Sequence, residues 1–188
     1  MAQSRNNVIT HGLSGTIGDT IVFRQRAGKT IVSNRPKAAN SAPTPDQLAA
    51  RARFQQAVLY GKSSTADPNT KAAYAAQARP GQSAYNVAVA DFFNAPDIDT
   101  VDVSAYFGAI GDPITIRVTD DFLVTGVHVR IEDPNNALTE EGDAVQSPNG
   151  LEWVYTTTAV NSSLSGDKIT ITATDTPNNT TTQISILP

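Results

Sequence analysis

The sequence predicts an α+β chain in which an N-terminal β-hairpin and short helices are followed by an antiparallel β-sandwich. Three observations carry this expectation. Bulky and polar residues alternate over residues 20–26, helix-start signals recur between residues 44 and 83, and from residue 97 short extended runs are separated by turn residues. Runs spaced by about ten positions are the mark of an all-β sandwich.

The hairpin comes first, over residues 19–35. Gly12, Gly15 and Gly18 precede it, and Gly28-Lys29-Thr30 invites comparison with a phosphate loop. That loop needs Gly-x-x-x-x-Gly-Lys-Thr, and the position of its first glycine is Phe23. The dinucleotide fingerprint fails too, because no two of the early glycines stand one residue apart. Alternation places Ile21, Phe23 and Gln25 on one face and Val22, Arg24 and Arg26 on the other. Ala27-Gly28 then makes the turn, with glycine supplying the positive φ, and residues 29–35 return as the second strand.

Arg35 to Pro43 reads as loop, since its prolines disfavour helix. Thr44-Pro45-Asp46-Gln47 is a helix start: a threonine cap, proline in the first turn, an early acid, and glutamine three residues after the cap. This helix is expected over about 45–60, with Ala50, Phe54 and Val58 as its apolar stripe and Gly61 as its stop. A second helix, about 68–78, begins at Asp67-Pro68 and ends before Pro80-Gly81. The third, 83–93, closes before Pro96.

Strands are expected at 98–104, 113–119, 123–132, 137–145, 151–158, 167–174 and 181–187. Val127, Val129 and Ile131 alternate with His128 and Arg130, so one face of that strand suits a core. Trp153 is the expected core centrepiece.

Charge divides the chain in the same place. Residues 1–95 hold eleven Lys/Arg against four acids, a net of +7, while residues 96–188 hold three against fourteen, a net of −11. A basic assembly region (1–95) and an acidic sandwich (97–188) are therefore expected, with surfaces able to meet their opposites on a neighbouring copy. With no cysteine, disulfides, thiolate catalysis and Cys-ligated zinc are excluded. The first residues lack the apolar run of a signal peptide and no segment is apolar over about 18 residues. No membrane span is expected.

The run Ile169-Thr-Ile-Thr-Ala-Thr-Asp-Thr-Pro-Asn-Asn179 resembles the closing strand of bacterial immunoglobulin-like domains. That resemblance covers about 90 residues, implies an immunoglobulin-like sandwich, and is nearly silent on function. The N-terminal half resembles small structural proteins of phage and prophage-like particles. It shares their Gly-x-x-Gly-x-x-Gly segment, hairpin, Arg35-Pro36, Thr44/Gln47 helix start and Arg51/Phe54 pair, and has Tyr74 where those proteins commonly have tryptophan. This resemblance implies a virion or extracellular particle as the place of action, reached without a signal peptide after synthesis in the cytoplasm.

Few residues offer chemistry. His11 and His128 are the only histidines, and no Gly-x-Ser-x-Gly elbow frames a serine. Paired carboxylates for glycoside hydrolysis lack aromatic sugar platforms beside them. Acids at strand ends are a calcium possibility, with Asp120, Asp121, Asp133 and Asp175 as candidates, against the alternative of a solvated rim of turn caps. Glu140, Glu141 and Asp143 belong to the same rim. Arg24, Arg26, Lys29, Arg51 and Arg53 could face nucleic acid, but the attached −11 module would repel phosphate.

The expectation is a non-enzymatic, self-assembling homo-oligomer without cofactors, whose partners are copies of itself and other particle proteins. Its interface is expected to use Ile21, Phe23, Arg24, Arg26, Lys29, Ile31, Arg35, Arg51 and Arg53. A cell-surface or carbohydrate-binding module anchored by the N-terminal half is the alternative.

Overall fold

The computed structural model describes residues 2–4, 8–26, 28–36 and 42–188. Ala27 of the expected turn and residues 37–41 of the expected loop lie outside the described residues. The fold is α+β, with antiparallel sheets and three helices among the described residues.

The expected hairpin forms from β3 (Ile21–Arg26) and β4 (Lys29–Asn34), with Gly28 at φ 72° between them. It is one half of a larger sheet. β1 (Ala2–Ser4) adds beside β4 and β2 (Gly15–Ile17) beside β3, giving the order β1-β4-β3-β2. The early glycines make this possible: Gly12, Gly15 and Gly18 all have positive φ, which lets the chain double back within a few residues. The expectation of a bare two-stranded hairpin is thus corrected, and its outer edges are paired over 21–23 and 30–32.

The helices are α1 (Pro45–Ser64), α2 (Pro68–Gln77) and α3 (Ala84–Asp91). Thr44 caps α1 as expected, its side chain accepting from the Gln47 N–H while Gln47 accepts from the Thr44 N–H. Asp67 caps α2 and Ser83 caps α3 in the same manner. Two expectations for α1 are corrected. Gly61 does not stop the helix; it is buried within it, because a side chain there would lie 2.7 Å from Val89 of α3. The buried residues are Ala57 and Gly61, whereas Ala50 and Phe54 of the expected stripe are exposed.

The sandwich consists of β5 (Asp97–Asp102), β6 (Pro113–Thr119), β7 (Val124–Glu132), β8 (Leu138–Asp143), β9 (Val145–Gln146), β10 (Glu152–Thr156), β11 (Lys168–Asp175) and β12 (Thr180–Ile186). One sheet has the order β5-β6-β10-β9 and the other β12-β11-β7-β8. Inward residues of both form one core: Ile114, Ile116 and Trp153 from the first, Val129, Ile169 and Ile171 from the second. Each buried aliphatic of this kind contributes about 1.5–3 kcal/mol. The expected strand 137–145 is two strands in different sheets. The chain crosses at Ala144, which is buried and donates its N–H to the Val127 carbonyl.

The helices are packed against one end of the sandwich. Tyr74 of α2, fully buried, stacks on Phe122 of the β6–β7 connection with ring centroids 4.0 Å apart. Asn179, after β11, donates from its amide to the carbonyl oxygens of Asp91 and Asn94. The composition boundary near residue 96 is therefore crossed by a packed, hydrogen-bonded contact.

Candidate functional site at the junction of helices and sandwich

Three carboxylates meet at this junction. Asp91 ends α3, where positions 84, 88 and 91 follow the helical repeat and point the same way; all three are buried. Asp120 follows β6 at the parity of the inward residues Ile114, Ile116 and Val118. Asp175 ends β11 at the parity of Ile169, Ile171 and Ala173, and is itself fully buried. One carboxylate oxygen from each of the three lies within 4.8 Å of the others.

Their hydrogen bonds are incomplete. Tyr74 donates its hydroxyl to Asp91 Oδ2 at 2.6 Å, and a second hydroxyl, that of Tyr60, lies 2.7 Å from Tyr74. Asp91 Oδ1 is sealed from solvent with no partner. Asp175 accepts from the backbone N–H of Asn179 at 2.6 Å and from its side-chain amide at 2.7 Å. Neither oxygen of Asp120 has a hydrogen bond of ordinary geometry; the backbone amides of Asp121 and Phe122 supply weaker favourable contacts.

Burial is the main reason the three hold protons more tightly than ordinary aspartates. It pushes Asp91 up to about 7 against the opposing hydrogen bond from Tyr74, with the charges of Asp120, Asp121 and Asp175 adding to the rise. Asp120 and Asp175 are raised too, again chiefly by burial. Beside Asp120 a surface hollow of about 460 Å³ opens, lined by Phe93, Asn94, Ala95, Asp97, Thr119, Asp120 and Asp121. The hollow borders the cluster at Asp120, whose carboxylate oxygens are themselves closed off from solvent.

Of the four acids singled out in the sequence, the structure thus brings together Asp120 and Asp175. Asp121 is exposed beside them and accepts from the Asn94 amide at 2.7 Å. Asp133 is elsewhere, accepting from the backbone of Asn135 and Ala137 at 2.8 Å each, and these bonds hold its carboxyl below the usual range. It caps its own turn, apart from the cluster. Asp91, the single acid of α3, is not among the acids expected from sequence; its spacing from Ala84 and Ala88 is the available signal. Glu140 is not on a solvated rim: it is buried and accepts from the Tyr155 hydroxyl at 3.0 Å and the Thr158 N–H at 2.7 Å. A third donor, the Thr158 hydroxyl, lies 3.0 Å from the same oxygen.

The residues expected at a subunit interface fall in two groups. Register places Ile21 and Phe23 on one face of the N-terminal sheet with Ile17 and Val32. Arg24, Arg26, Lys29 and Ile31 occupy the opposite face. Arg35 pairs with Asp19 at the base of the hairpin. Arg51 and Arg53 are exposed on α1, with Arg53 lying over the Phe93 ring at 5.4 Å. His11 is exposed, and His128 contacts Asp143 on the outer side of β7 at 2.8 Å.

No protein-family profile matches the chain, and no curated protein matches it. A crystal structure of an engineered protein is similar over 58% of this chain, at 18% identity and a TM-score of 0.33. The chain spans 30% of that protein's length.

Proposed function

We propose that this chain is a non-enzymatic structural protein that assembles with copies of itself into, or onto, a phage-like virion or an extracellular particle or filament. The observation that carries the reading is the N-terminal sheet. Among its described side chains only Thr30 is buried, and none of its residues joins either buried apolar cluster of the chain. Sheets of this size need a covered apolar face to be stable. Here Ile17 and Ile21 are exposed on one face, beside half-buried Phe23 and Val32, and the opposite face carries Arg24, Arg26 and Lys29.

A second copy is the occupant that charge favours. Arg24, Arg26 and Lys29 complement the −11 sandwich of a neighbour, and β1 and β2, as the outer strands of the sheet, offer backbone pairing. The first turns of α1 offer a further uncovered surface: residues 44–56 are all exposed, with Leu48 and Phe54 among them. Head-to-tail contacts of this kind build rings or fibres. The sandwich would then project, and its strand order supports an immunoglobulin-like class, since β5-β6-β10-β9 against β12-β11-β7-β8 follows the ABED and GFCC′ arrangement.

Electron micrographs of negatively stained, purified protein test this. Regular particles or filaments are expected; a dispersed monomer at high concentration in both low and high salt contradicts the proposal.

A binding module anchored by the N-terminal half is the second reading. It is favoured by Phe107, Ile110 and Val160, which are 75%, 67% or 65% exposed in the order Phe107, Val160, Ile110. They stand on two loops joined by backbone bonds between Gly111 and Thr157 and between Asn161 and Gly108. Glycan-array signal from unassembled protein would favour this reading over assembly.

A further inference from the structure

The carboxylate cluster has a use that assembly does not require. Asp91 Oδ1 and both oxygens of Asp120 are closed off from solvent without partners, and buried acceptors are normally satisfied. The ion pairs among the described residues lie elsewhere, at Arg35–Asp19, Arg117–Asp99, His128–Asp143 and the Arg130 pairs with Glu132 and Glu141. Three carboxylates are thus gathered apart from the ion pairs of the described residues, and one of them, the fully buried Asp91, keeps an oxygen without a partner.

We propose that Asp91, Asp120 and Asp175 form a calcium site that ties the helices to the sandwich. The donor set is oxygen alone, as a hard cation requires. Calcium bonds of about 2.4 Å separate oxygens on opposite sides of the ion by about 4.8 Å, the span within which the three carboxylate oxygens lie. Magnesium, with bonds of about 2.0–2.1 Å, demands a tighter octahedron and retains several waters, which a cluster of buried carboxylates accommodates poorly. The hollow beside Asp120 is the route by which water would enter to complete the calcium shell. Because Asp91 comes from α3 while Asp120 and Asp175 come from the two sheets, the ion fixes the helices on the sandwich. Removing it leaves mutual repulsion at the same point.

The full-length protein, stripped with EDTA, is titrated with calcium chloride by calorimetry and by thermal melting. One saturable site is expected, with a rise in Tm of about 5–10 °C at about one hundred times Kd. Asp120→Asn and Asp91→Asn should lose the calcium response while melting no lower than the wild type in EDTA, because each removes a like charge. Asp120 makes no side-chain hydrogen bond of ordinary geometry, so its variant keeps the fold and carries the test if Asp91→Asn misfolds. Asp133→Asn should respond in full. Absence of heat and of a melting shift at millimolar calcium overturns the site, as does a full response in Asp120→Asn. An equal response to magnesium overturns the choice of calcium.

Discussion

Replacing Tyr74 with phenylalanine removes a single oxygen from the junction and leaves its shape intact. The ring keeps its stack on Phe122 at 4.0 Å, so packing changes little. What is lost is the 2.6 Å donation to Asp91 Oδ2, the one side-chain hydrogen bond that Asp91 receives. Hydrogen bonds to charged groups contribute about 1.5–3 kcal/mol, and stranding a buried acceptor costs a comparable amount. Some of this is returned because Asp91 holds its proton readily. The expected loss is about 2 kcal/mol, or about 4–8 °C in Tm for a chain of this length. Urea titration in EDTA measures it, with an unchanged m-value as the check that the unfolded state is the same. A cycle with Asp91→Ala should give a coupling of about 1–2 kcal/mol. A loss of less than about 0.5 kcal/mol, or additive effects in the cycle, would refute the claim that this hydrogen bond holds the buried carboxylate.

Gly61→Ala should destabilise the protein by about 1–2 kcal/mol in the same titration, although alanine ordinarily gains about 0.5–1 kcal/mol over glycine inside a helix. The new methyl would meet Val89 at 2.7 Å and Tyr85 at 3.1 Å; a stabilised variant would show that α1 and α3 are not closely packed. Glu140→Ala should cost about 3 kcal/mol or more, since it strands the Tyr155 hydroxyl and the Thr158 N–H together. A change under about 1 kcal/mol would mean that water replaces the carboxylate there.

Most of the fold was legible because local signals and burial agreed. The strand at 113–119 was predicted with the bounds that the structure shows, and Val127, Val129 and Ile131 are buried as their alternation required. The failures have physical causes. Gly61 reads from sequence as a helix breaker, but glycine also permits close approach of two helices, and only the position of α3 distinguishes these. In the run 137–145 the change of sheet at Ala144 is marked locally only by Gly142-Asp143, which are equally compatible with a strand end or bulge. β1 and β2 are three residues each, too short for alternation to register.

The junction was half legible. Asp120 and Asp175 stand out in sequence as acids at strand ends, yet so does Asp133, which caps a turn. Parity separates them in retrospect: Asp120 and Asp175 continue the inward series of β6 and β11. Asp91 could not be paired with either from sequence, because that pairing depends on how the helices meet the sandwich.

The central claim is that a second copy completes the N-terminal sheet, and hydrogen exchange tests it most directly. Amides of residues 21–34 are followed by mass spectrometry as protein concentration is raised, with sedimentation recorded on the same samples. Protection of this segment should rise with concentration in step with growth of the sedimenting species. Protection that stays constant while the protein remains a monomer would contradict the account.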